Sequence, residues 1–387
     1  MEPLVHDNPE APRTASRVDI ISFSIIDWEF RYQRPQQIMS QFAANGHRVF
    51  YLSVSRFMTG PAEAVPGVQI IAENILEVQL ACSSLPNVYT GLVDAGSGLL
   101  ESLAHLREAY KILDAVAYVM IPSWADIALE ARRLWGWTVA YDCMDEWENF
   151  SGIGNAVVAA EARLADNCDL LIVTAERLRR KWAARGRRAV LARNGVDYAF
   201  YSGLCRTNPL LADVPRPIVG YYGAIADWFD IDLLIHTASK RPFYSFVLVG
   251  EAFINVDGLK ELSNVFLPGA QPYVTMPEFL YHFDACLIPF RINPVTEATD
   301  PVKLYEYLSG GKPVVATALP ELESCREHVY IAMDKEDFVV QIDSAVAEND
   351  LERSDRRREF AASQTWSDRY RRISEGLAKV NPKHVAG

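Results

Sequence analysis

Residues 300–316, DPVKLYEYLSGGKPVVA, decide how we interpret the rest of the chain. The pattern predicts a helix that runs into a short buried strand, with Asp300 as the helix cap and a glycine pair as its end. Lys303 and Glu306 are three residues apart, so they lie near one face of this helix. A lysine and the amides at a helix N-terminus can bind a diphosphate, while a carboxylate can bind ribose hydroxyls. The alternative is an ordinary ion pair on a solvated helix face.

Composition excludes several classes of protein. The 387 residues carry a net charge of −12 at pH 7, which argues against general binding of nucleic acid. The cysteines and histidines show no metal-ligand spacing, so we expect reduced thiols, no metal site and a cytoplasmic location. Residues 1–17 are polar and predict a disordered tail without the apolar core of a signal peptide. No apolar run is long enough to predict a membrane-spanning helix.

The chain begins with a strand, a polar loop, a helix and a second strand. Residues 18–24 and 48–53 predict the strands, and the helix runs between them to about residue 45. Such units give parallel strands, and ligands bind beyond the carboxyl ends of those strands. The loop is therefore a candidate site, although an ordinary exposed loop with a helix cap would show the same pattern. Its polar and aromatic members are Asp27, Trp28, Arg31, Gln33 and Arg34.

Two aspartates follow the strand predicted at residues 138–141. Carboxylates at the carboxyl end of a strand are well placed for base catalysis or for binding hydroxyl groups. For Asp145 we weigh this role evenly against a structural one, because an acid here can cap the helix that begins near residue 155. For Asp142 the structural role is favoured.

Residues 176–188 contain seven basic residues and one acid, which is unusual in an acidic chain. The first part of this segment is predicted to be helical. With Leu178 and Trp182 it could rest on an anionic membrane surface. The simpler interpretation is a solvated helix face.

A second series of strands and helices follows a polar segment with three prolines. The chain therefore predicts an α/β protein with two Rossmann-like parallel-sheet domains that face each other across a cleft, and the ligand site lies in that cleft. The predicted division is a tail at 1–17, a first domain at 18–203, a linker at 204–217, a second domain at 218–363, and a last helix with a tail at 364–387.

Four segments resemble bacterial GT-B glycosyltransferases, particularly those that build cell-surface polysaccharides. The segments are residues 34–47, residues 194–197 (NGVD), residues 219–223 (VGYYG) and residues 300–315. They span most of the chain in the family's order, and the last is the most specific. Around Val302 and Lys303 the chain is also similar to the glucuronosyltransferase of xanthan assembly.

The resemblance implies a role for each matching position. The carboxylate of Glu306 would hold the nucleotide ribose, and Lys303 would contact the diphosphate. The loop that contains Gly223 would approach the phosphates, and residues 269–273 would flank the base. The last helix, residues 366–380, would cross back to the first domain.

The chain departs from the family pattern in two places. Many retaining members carry a second glutamate eight residues before the first, where this chain has Ala298. Many also carry an arginine after the glycine that matches Gly223, and this chain has Ala224 there. Lys303, with Arg291, would then have to supply the positive charge for the diphosphate. The retaining mechanism therefore does not carry over with the resemblance.

These patterns predict a metal-independent glycosyltransferase without a cofactor. It would move a sugar from a nucleotide-diphosphate sugar, with UDP favoured, to a hydroxyl of a glycan or lipid-linked acceptor. The first domain would bind the acceptor and the second the donor. Asp145 is the first candidate for the base that deprotonates the acceptor, and Asp27 is the second. The location would be cytoplasmic or peripheral at the inner face of the cell membrane. The alternatives are a nucleotide-sugar epimerase on the same fold and a two-domain small-molecule binding protein without catalysis.

The candidate residues fall into two groups. Both groups follow predicted strands, which is why we expect them to meet in the cleft. The predicted donor site comprises Lys303, Glu306, Val302, Gly223, Tyr273, Gln271, Arg291, Thr296 and Asp300. The predicted acceptor side comprises Trp28, Arg31, Gln33, Arg34 and Asp142.

Overall fold

The computed structural model describes residues 17–59, 66–93, 95–203 and 207–382. Most of the predicted tail at 1–17, part of the predicted linker and the last five residues lie outside these ranges. The first half contains β1 (Asp19–Phe23), α1 (Arg34–Ala44), β2 (Val49–Leu52), β3 (Met58–Thr59), β4 (Gly67–Ala72), β5 (Ile75–Gln79), β6 (Ala81–Cys82), α2 (Leu99–Ala109), β7 (Ala115–Val119), α3 (Ala125–Trp135), β8 (Thr138–Cys143), α4 (Asn155–Asn167), β9 (Leu170–Val173), α5 (Glu176–Ala184), β10 (Val190–Leu191) and α6 (Tyr198–Tyr201). The second half contains β11 (Ile218–Tyr222), α7 (Ile231–Lys240), β12 (Ser245–Val249), α8 (Asp257–Lys260), β13 (Val265–Gly269), α9 (Met276–His282), β14 (Ala285–Ile288), α10 (Pro294–Glu297), α11 (Val302–Ser309), β15 (Val314–Thr317), β16 (Tyr330–Ala332), α12 (Lys335–Val346), α13 (Leu351–Ala362) and α14 (Trp366–Val380).

The strands form two large sheets, one in each half of the chain. The first has the order β10-β9-β8-β7-β1-β2-β5-β4 and is parallel up to β4, which runs antiparallel to β5. The second has the order β13-β12-β11-β14-β15-β16 and is parallel. Their central strands are fully buried and rich in Val, Ile and Leu, as expected when helices cover both faces. The predicted fold class is confirmed.

Each sheet reverses its strand order at one point. The first sheet grows outward from the pair β1–β7, and the second grows outward from the pair β11–β14. Loops that leave the carboxyl ends of two such strands diverge and leave a crevice, where ligands bind in open α/β sheets. The loop after β11 contains Gly223, and the segment after β14 leads into α11. Gly223 and Lys303 therefore both lie at this switch point.

The start of α11 differs from the prediction. The helix begins at Val302 with Pro301 as its N-cap, so the prediction that Asp300 caps it is wrong. The Asp300 carboxylate instead accepts hydrogen bonds from the backbone N–H of Asn194 (2.6 Å) and the hydroxyl of Tyr305 (2.8 Å). The predicted end of the helix is correct, because Gly311 adopts a left-handed φ of +69° immediately after it.

No element is predicted between residues 54 and 114, yet the structure has four short strands and one helix there. β4 is an edge strand with mostly exposed or half-exposed residues, so it lacks a continuous apolar run. β3 and β6 are two residues long. Strands this short have too few residues to show the alternation of apolar and polar residues that predicts a strand.

The last helix, α14, packs on the first sheet. Trp366, Tyr370, Ile373 and Leu377 belong to one hydrophobic cluster with side chains of β1, β2 and α1. The preceding helix, α13, packs on α11 in the second half of the chain. The chain therefore passes between the two sheets twice, once before β11 and once before α14.

Candidate functional site

Lys303 and Gly223 face each other at the switch point of the second sheet. A Cβ atom on Gly223 would lie 3.2 Å from Lys303 Cε and 3.5 Å from its Nζ. The Nζ atom lies 4.9 Å from the ring centre of Phe290 and 5.3 Å from that of Tyr221. It has no ion-pair or hydrogen-bond partner within the described ranges. The ammonium group is therefore held between aromatic faces and is free to contact an anion.

Gly250 fixes the shape of the Gly223 loop. Its φ is +150°, and a Cβ atom there would lie 1.9 Å from the carbonyl oxygen of Gly223. The backbone N–H of Gly223 donates to Val249, and that of Gly250 donates to Gly269, both at 2.9 Å. The loops after β11, β12 and β13 are thus tied together at the carboxyl edge of the sheet, and only glycine allows their close approach.

Glu306 lies one helical turn from Lys303 and is 8% exposed. The two charged groups do not form the solvated ion pair that was the alternative interpretation. Burial raises the pKa of Glu306, and the charge of Lys303 with the hydroxyls of Tyr201 and Tyr222 offset part of this. Burial lowers the pKa of Lys303, which Glu306 partly offsets. A diphosphate beside Lys303 and hydroxyl groups beside Glu306 would stabilise both charged forms.

Asp145 follows β8 at the carboxyl edge of the first sheet. The residue is half-buried, and its carboxylate makes no hydrogen bond or ion pair with the residues that the structure describes. Burial raises the pKa of Asp145 to about 7; the charge of Arg34 lowers it, and that of Asp142 raises it. An unpaired carboxylate with a pKa near neutrality is suited to accept a proton from a substrate.

Asp142 and Arg34 pair with each other inside the first domain. The Asp142 carboxylate accepts two hydrogen bonds from the Arg34 guanidinium, at 2.8 and 2.9 Å, and a third from the Tyr118 hydroxyl at 2.8 Å. Arg34 also donates to the Asn194 side chain at 3.3 Å. Both residues are buried and join α1, β8 and the segment after β10, which supports the structural role favoured for Asp142 and leaves neither side chain exposed to an acceptor.

Asn194 joins the two domains. Its backbone N–H and its side-chain amide donate to Asp300 at 2.6 and 2.5 Å, and its carbonyl accepts from Arg369 of α14 at 2.9 Å. Val302 packs against the hydrophobic cluster of the first domain. Asp300 and Val302, predicted to bind the donor, therefore hold the start of α11 against the first domain.

Asp27 is saturated with hydrogen bonds from the loop after β2. Its carboxylate accepts from the Ser53 hydroxyl at 2.6 Å, the Val54 N–H at 2.8 Å, and the Ser55 hydroxyl. Burial alone would raise the pKa of Asp27, but these hydrogen bonds outweigh it and lower the pKa. A carboxylate with this many donors is a weak base, so Asp27 is less suited to catalysis than Asp145.

Arg31 reaches across the cleft to the second domain. Its guanidinium lies 3.3 Å from the Glu251 carboxylate and 4.8 Å from the ring centre of Phe253. The residue has a left-handed φ of 54°, which costs about 1–2 kcal/mol outside glycine. Trp28 packs edge-on against tyrosines of its own domain, and Gln33 is the N-cap of α1.

Tyr273 stands between the domains. Its hydroxyl accepts a hydrogen bond from Gln37 of α1 at 3.1 Å, and its ring stacks on Phe200 with the centres 5.1 Å apart. The ring centre also lies 6.2 Å from that of Tyr201. Gln271 donates to the carbonyl of Pro268 at 3.0 Å and holds its own loop.

Two predicted donor residues lie apart from this cluster. Thr296 is fully buried, and its hydroxyl donates to a carbonyl of its own loop as part of the cap of α10. Arg291 is exposed, lies 3.9 Å from Asp232, and lines a cavity of about 460 Å³ whose walls include neither Lys303 nor Glu306. Lys303 is therefore the better placed of the two cations predicted for the diphosphate.

The basic segment 176–188 also differs from the prediction. Leu178 and Trp182 are fully buried, so the prediction that they contact a membrane is wrong. Lys181 pairs with two buried glutamates of the first domain, and Arg177 pairs with Glu297 of the second at 2.7 Å. The arginines at 179, 180, 185 and 188 remain exposed.

The described ranges contain no group of three or more His, Cys, Asp or Glu side chains placed to hold a metal ion. None of their helices combines the length and the apolar character needed to cross a membrane.

Three contributions to the cleft were not predicted from the sequence. Tyr201 and Tyr222 bring their hydroxyls to Glu306. Ser151 donates to Asp227 at 2.8 Å, from the first domain to the second. In the sequence, Tyr222 occupies an apolar strand position. Its place just before Gly223 is the one sequence feature that could have indicated a role in the cleft.

Solved structures with the same architecture identify the fold. Sucrose-phosphate synthase from Thermosynechococcus elongatus superposes with a TM-score of 0.72 at 15% identity, covering 94% of this chain and 99% of that one. HepE of Anabaena, in complex with UDP, gives 0.66 at 14% identity, covering 94% and 100%. An E. coli trehalose-6-phosphate protein bound with UDP-2-fluoro glucose gives 0.67 at 10% identity, covering 96% and 100%. The chain has the GT-B fold.

One curated protein gives a more specific relationship. TuaH of Bacillus subtilis strain 168, assigned provisionally to teichuronic acid biosynthesis as a glycosyltransferase, is 28% identical over 265 residues. The match covers 62% of this chain and 67% of TuaH. No family model matches the chain.

Proposed function

We propose that the protein is a glycosyltransferase that moves a sugar from a nucleoside-diphosphate sugar to a hydroxyl of a glycan or lipid-linked acceptor. The observation that carries this proposal is the unpaired ammonium of Lys303, which lies against Gly223 at the switch point and one helical turn from the buried Glu306. On this proposal the second domain, residues 218–363, binds the donor. The first domain, residues 18–203, binds the acceptor, and residues 204–217 connect the two.

The donor side supplies positive charge where negative charge develops. As the bond between the sugar and the diphosphate breaks, charge builds on the leaving diphosphate. Lys303 and the backbone N–H groups at the start of α11 would stabilise that charge, and the Gly223 loop allows the phosphates to approach the backbone. Glu306 would hold the ribose. No metal ion is assigned a part in this step.

The acceptor side supplies a base if the reaction inverts the sugar configuration. Asp145, with its pKa raised to about 7, would take the proton of the acceptor hydroxyl while the oxygen attacks the sugar. Asp27 remains the second candidate, but its lowered pKa makes it a weaker base. Ala298 stands where many retaining relatives have their second glutamate, and it is buried in the hydrophobic core of the first domain.

The relatives favour a particular class of substrates. HepE and the E. coli protein were solved with UDP and a UDP-sugar, and TuaH is provisionally assigned to teichuronic acid biosynthesis. We therefore favour a UDP-linked donor and a role in polysaccharide biosynthesis at the cytoplasmic face of the membrane. Any attraction to anionic lipids would come from the exposed arginines of segment 176–188 alone.

A binding screen followed by product analysis tests this function. UDP, ADP, GDP and their sugars are compared for the rise in melting temperature that each produces, because a specific ligand stabilises the folded state. The preferred nucleotide sugar is then incubated with oligosaccharide and lipid-linked acceptors. Acceptor-dependent release of the nucleoside diphosphate, with a glycosylated product, is the expected result. An epimerised nucleotide sugar formed without acceptor, or binding without turnover, would contradict it.

A further inference from the structure

A short segment after β12 is bonded to the Gly223 loop. The backbone N–H of Ile225 donates to the carbonyl of Glu251 at 3.0 Å, and the backbone N–H of Phe253 donates to the carbonyl of Ile225 at 2.8 Å. These two hydrogen bonds form a parallel bridge between the segment and the loop. A displacement of the segment would therefore displace the loop.

Arg31 of the first domain contacts the side chains at both ends of this segment. Residues on either side of a bridged position point to the same face, so Glu251 and Phe253 lie side by side. The Arg31 guanidinium lies 3.3 Å from the Glu251 carboxylate and 4.8 Å from the ring centre of Phe253. The ring centre of Phe30 also lies 4.8 Å from this guanidinium. A planar guanidinium can pair with a carboxylate and stack on an aromatic ring, which suits arginine better than lysine.

The charge of Arg31 also reaches a side chain beneath the Gly223 loop. Burial raises the pKa of Tyr221, and the charge of Arg31 is one of the effects that lower it. The Tyr221 hydroxyl donates to the carbonyl of Ala224 at 2.7 Å, and its ring lies against the Lys303 ammonium. Arg31 therefore lies near the residues that would receive the diphosphate, although its guanidinium is engaged by the second domain.

A second contact from the first domain reaches the far end of the same loop. Ser151 donates to the Asp227 carboxylate at 2.8 Å. Gly223, at the start of the loop, has a φ of +131°, and glycine has more backbone freedom to lose than any other residue. A contact that orders such a loop beforehand favours ligand binding, because less freedom is then lost when the ligand binds.

We propose that Arg31 is a positioning residue for the donor, which holds the Gly223 loop, through Glu251 and Phe253, in the conformation that admits the phosphates. The inference rests on the proposed function, because it concerns the donor of the same reaction. Arg31 does not contact the donor, since its guanidinium stays with Glu251. The residue was predicted on the acceptor side of the cleft, and on this proposal it serves the donor side from the opposite domain.

Variants at both members of the ion pair test the proposal. Arg31→Asn removes the guanidinium and introduces a residue that tolerates the left-handed backbone, φ 54°. Glu251→Gln removes the opposite charge, and the double variant completes a cycle. Lys111→Asn is the matched control, because Lys111 is also basic and left-handed, with φ 51°. It precedes β7 and so lies at the edge of the first sheet that faces away from the cleft.

Calorimetry measures the affinity of each protein for the preferred nucleoside diphosphate of the screen, and initial rates give kcat and KM for the corresponding sugar donor. Arg31→Asn and Glu251→Gln should each weaken nucleotide binding and raise the donor KM about threefold to tenfold, the range of an exposed ion pair with a cation–π contact. The kcat should change less than about twofold, because an ordered loop helps the ground state and the transition state alike.

The double variant should bind no more weakly than the weaker single variant, because both single changes break the same contact. Losses that add in the double variant would refute the proposal. The melting temperature of each free variant should stay close to that of the wild type, because an exposed ion pair contributes little to stability. The control should match the wild type in affinity, KM and kcat.

The outcomes separate positioning from the competing roles. If Arg31 contacted the diphosphate directly, Glu251→Gln would release it and leave the affinity unchanged or raise it, while Arg31→Asn would lower kcat; this pattern would refute positioning. Weaker binding together with a lower melting temperature would show damage to the fold and also refute it.

The same measurements separate this inference from the function on which it rests. If the wild type binds UDP, ADP or GDP and both single variants bind it equally well, the positioning role is refuted and the proposed function stands. If the wild type binds no nucleoside diphosphate, the proposed function fails, and the positioning role fails with it.

Discussion

Replacing Lys303 with methionine tests the centre of the proposed mechanism. Methionine keeps most of the aliphatic chain that packs between Phe290 and Tyr221 but removes the charge. A donor that stabilises charge in a transition state contributes about 2.7–4 kcal/mol, or roughly 10²- to 10³-fold in rate. We expect the upper part of this range, because Ala224 replaces the arginine found in many relatives and Arg291 lines a different cavity.

The same variant should become more stable. Burial lowers the pKa of Lys303 in the folded protein, so its charged form is disfavoured there relative to the unfolded chain. This penalty is fully present below the lowered pKa and disappears as the pH rises past the usual lysine pKa of about 10.4. Lys303→Met should therefore melt at a higher temperature than the wild type at pH 7, and the difference should vanish near pH 11.

The assay combines initial rates of nucleotide release with melting curves at the two pH values. Lys335→Met is the matched control, because Lys335 is an exposed lysine of the same domain that lines the separate cavity. It should change neither turnover nor melting temperature appreciably. Turnover of Lys303→Met within threefold of the wild type would refute the role of this lysine, whatever the melting curves show.

Three further changes probe other parts of the cleft. Asp145→Asn should lower turnover by roughly 10²-fold or more. In a pH–rate profile, the wild type should show a rise in rate centred near pH 7 that the variant lacks. A wild-type profile that is flat from pH 6 to 8 would contradict this role. Asp142→Asn leaves Arg34 buried without its counter-charge and should cost about 3–5 kcal/mol in denaturant unfolding, whereas Asp126→Asn, in an exposed pair with Arg163, should cost less than about 1 kcal/mol. In Gly250→Ala the added Cβ would collide with the Gly223 carbonyl, so nucleotide binding measured by calorimetry should weaken by about tenfold or more. Gly136→Ala is the control, because its left-handed backbone is also strained but no atom that the structure describes lies near the added Cβ; binding should be unchanged.

The fold and the proximity of Lys303, Glu306 and Gly223 could be predicted from the sequence for a physical reason. Fully buried parallel strands read as continuous apolar runs, and this pattern holds for the central strands of both sheets. Lys303 and Glu306 share one helix, so their proximity follows from helical geometry alone. Gly223 joins them because parallel topology brings the carboxyl ends of β11 and β14 to the same edge.

The remaining site residues depend on tertiary contacts that no local pattern encodes. Asp300 and Arg34 carry charges near the cleft, but their partners come from distant segments. Asp300 joins the two domains through Asn194, whereas Arg34 pairs with Asp142 inside the first domain. Thr296 is a short polar residue in a loop, and such residues often bond to their own backbone instead of a ligand. Tyr201 reaches Glu306 from a helix of four residues, too short for any periodic signal.

The position of α14 has a consequence for how the protein is made. This helix supplies four large side chains to the core of the first domain, although it is synthesised after the whole second domain. During translation, the matching apolar surface of α1 and the first sheet stays uncovered until α14 has left the ribosome. The nascent first domain is then the species most exposed to aggregation, and a chaperone that shields this surface would raise the yield of folded protein.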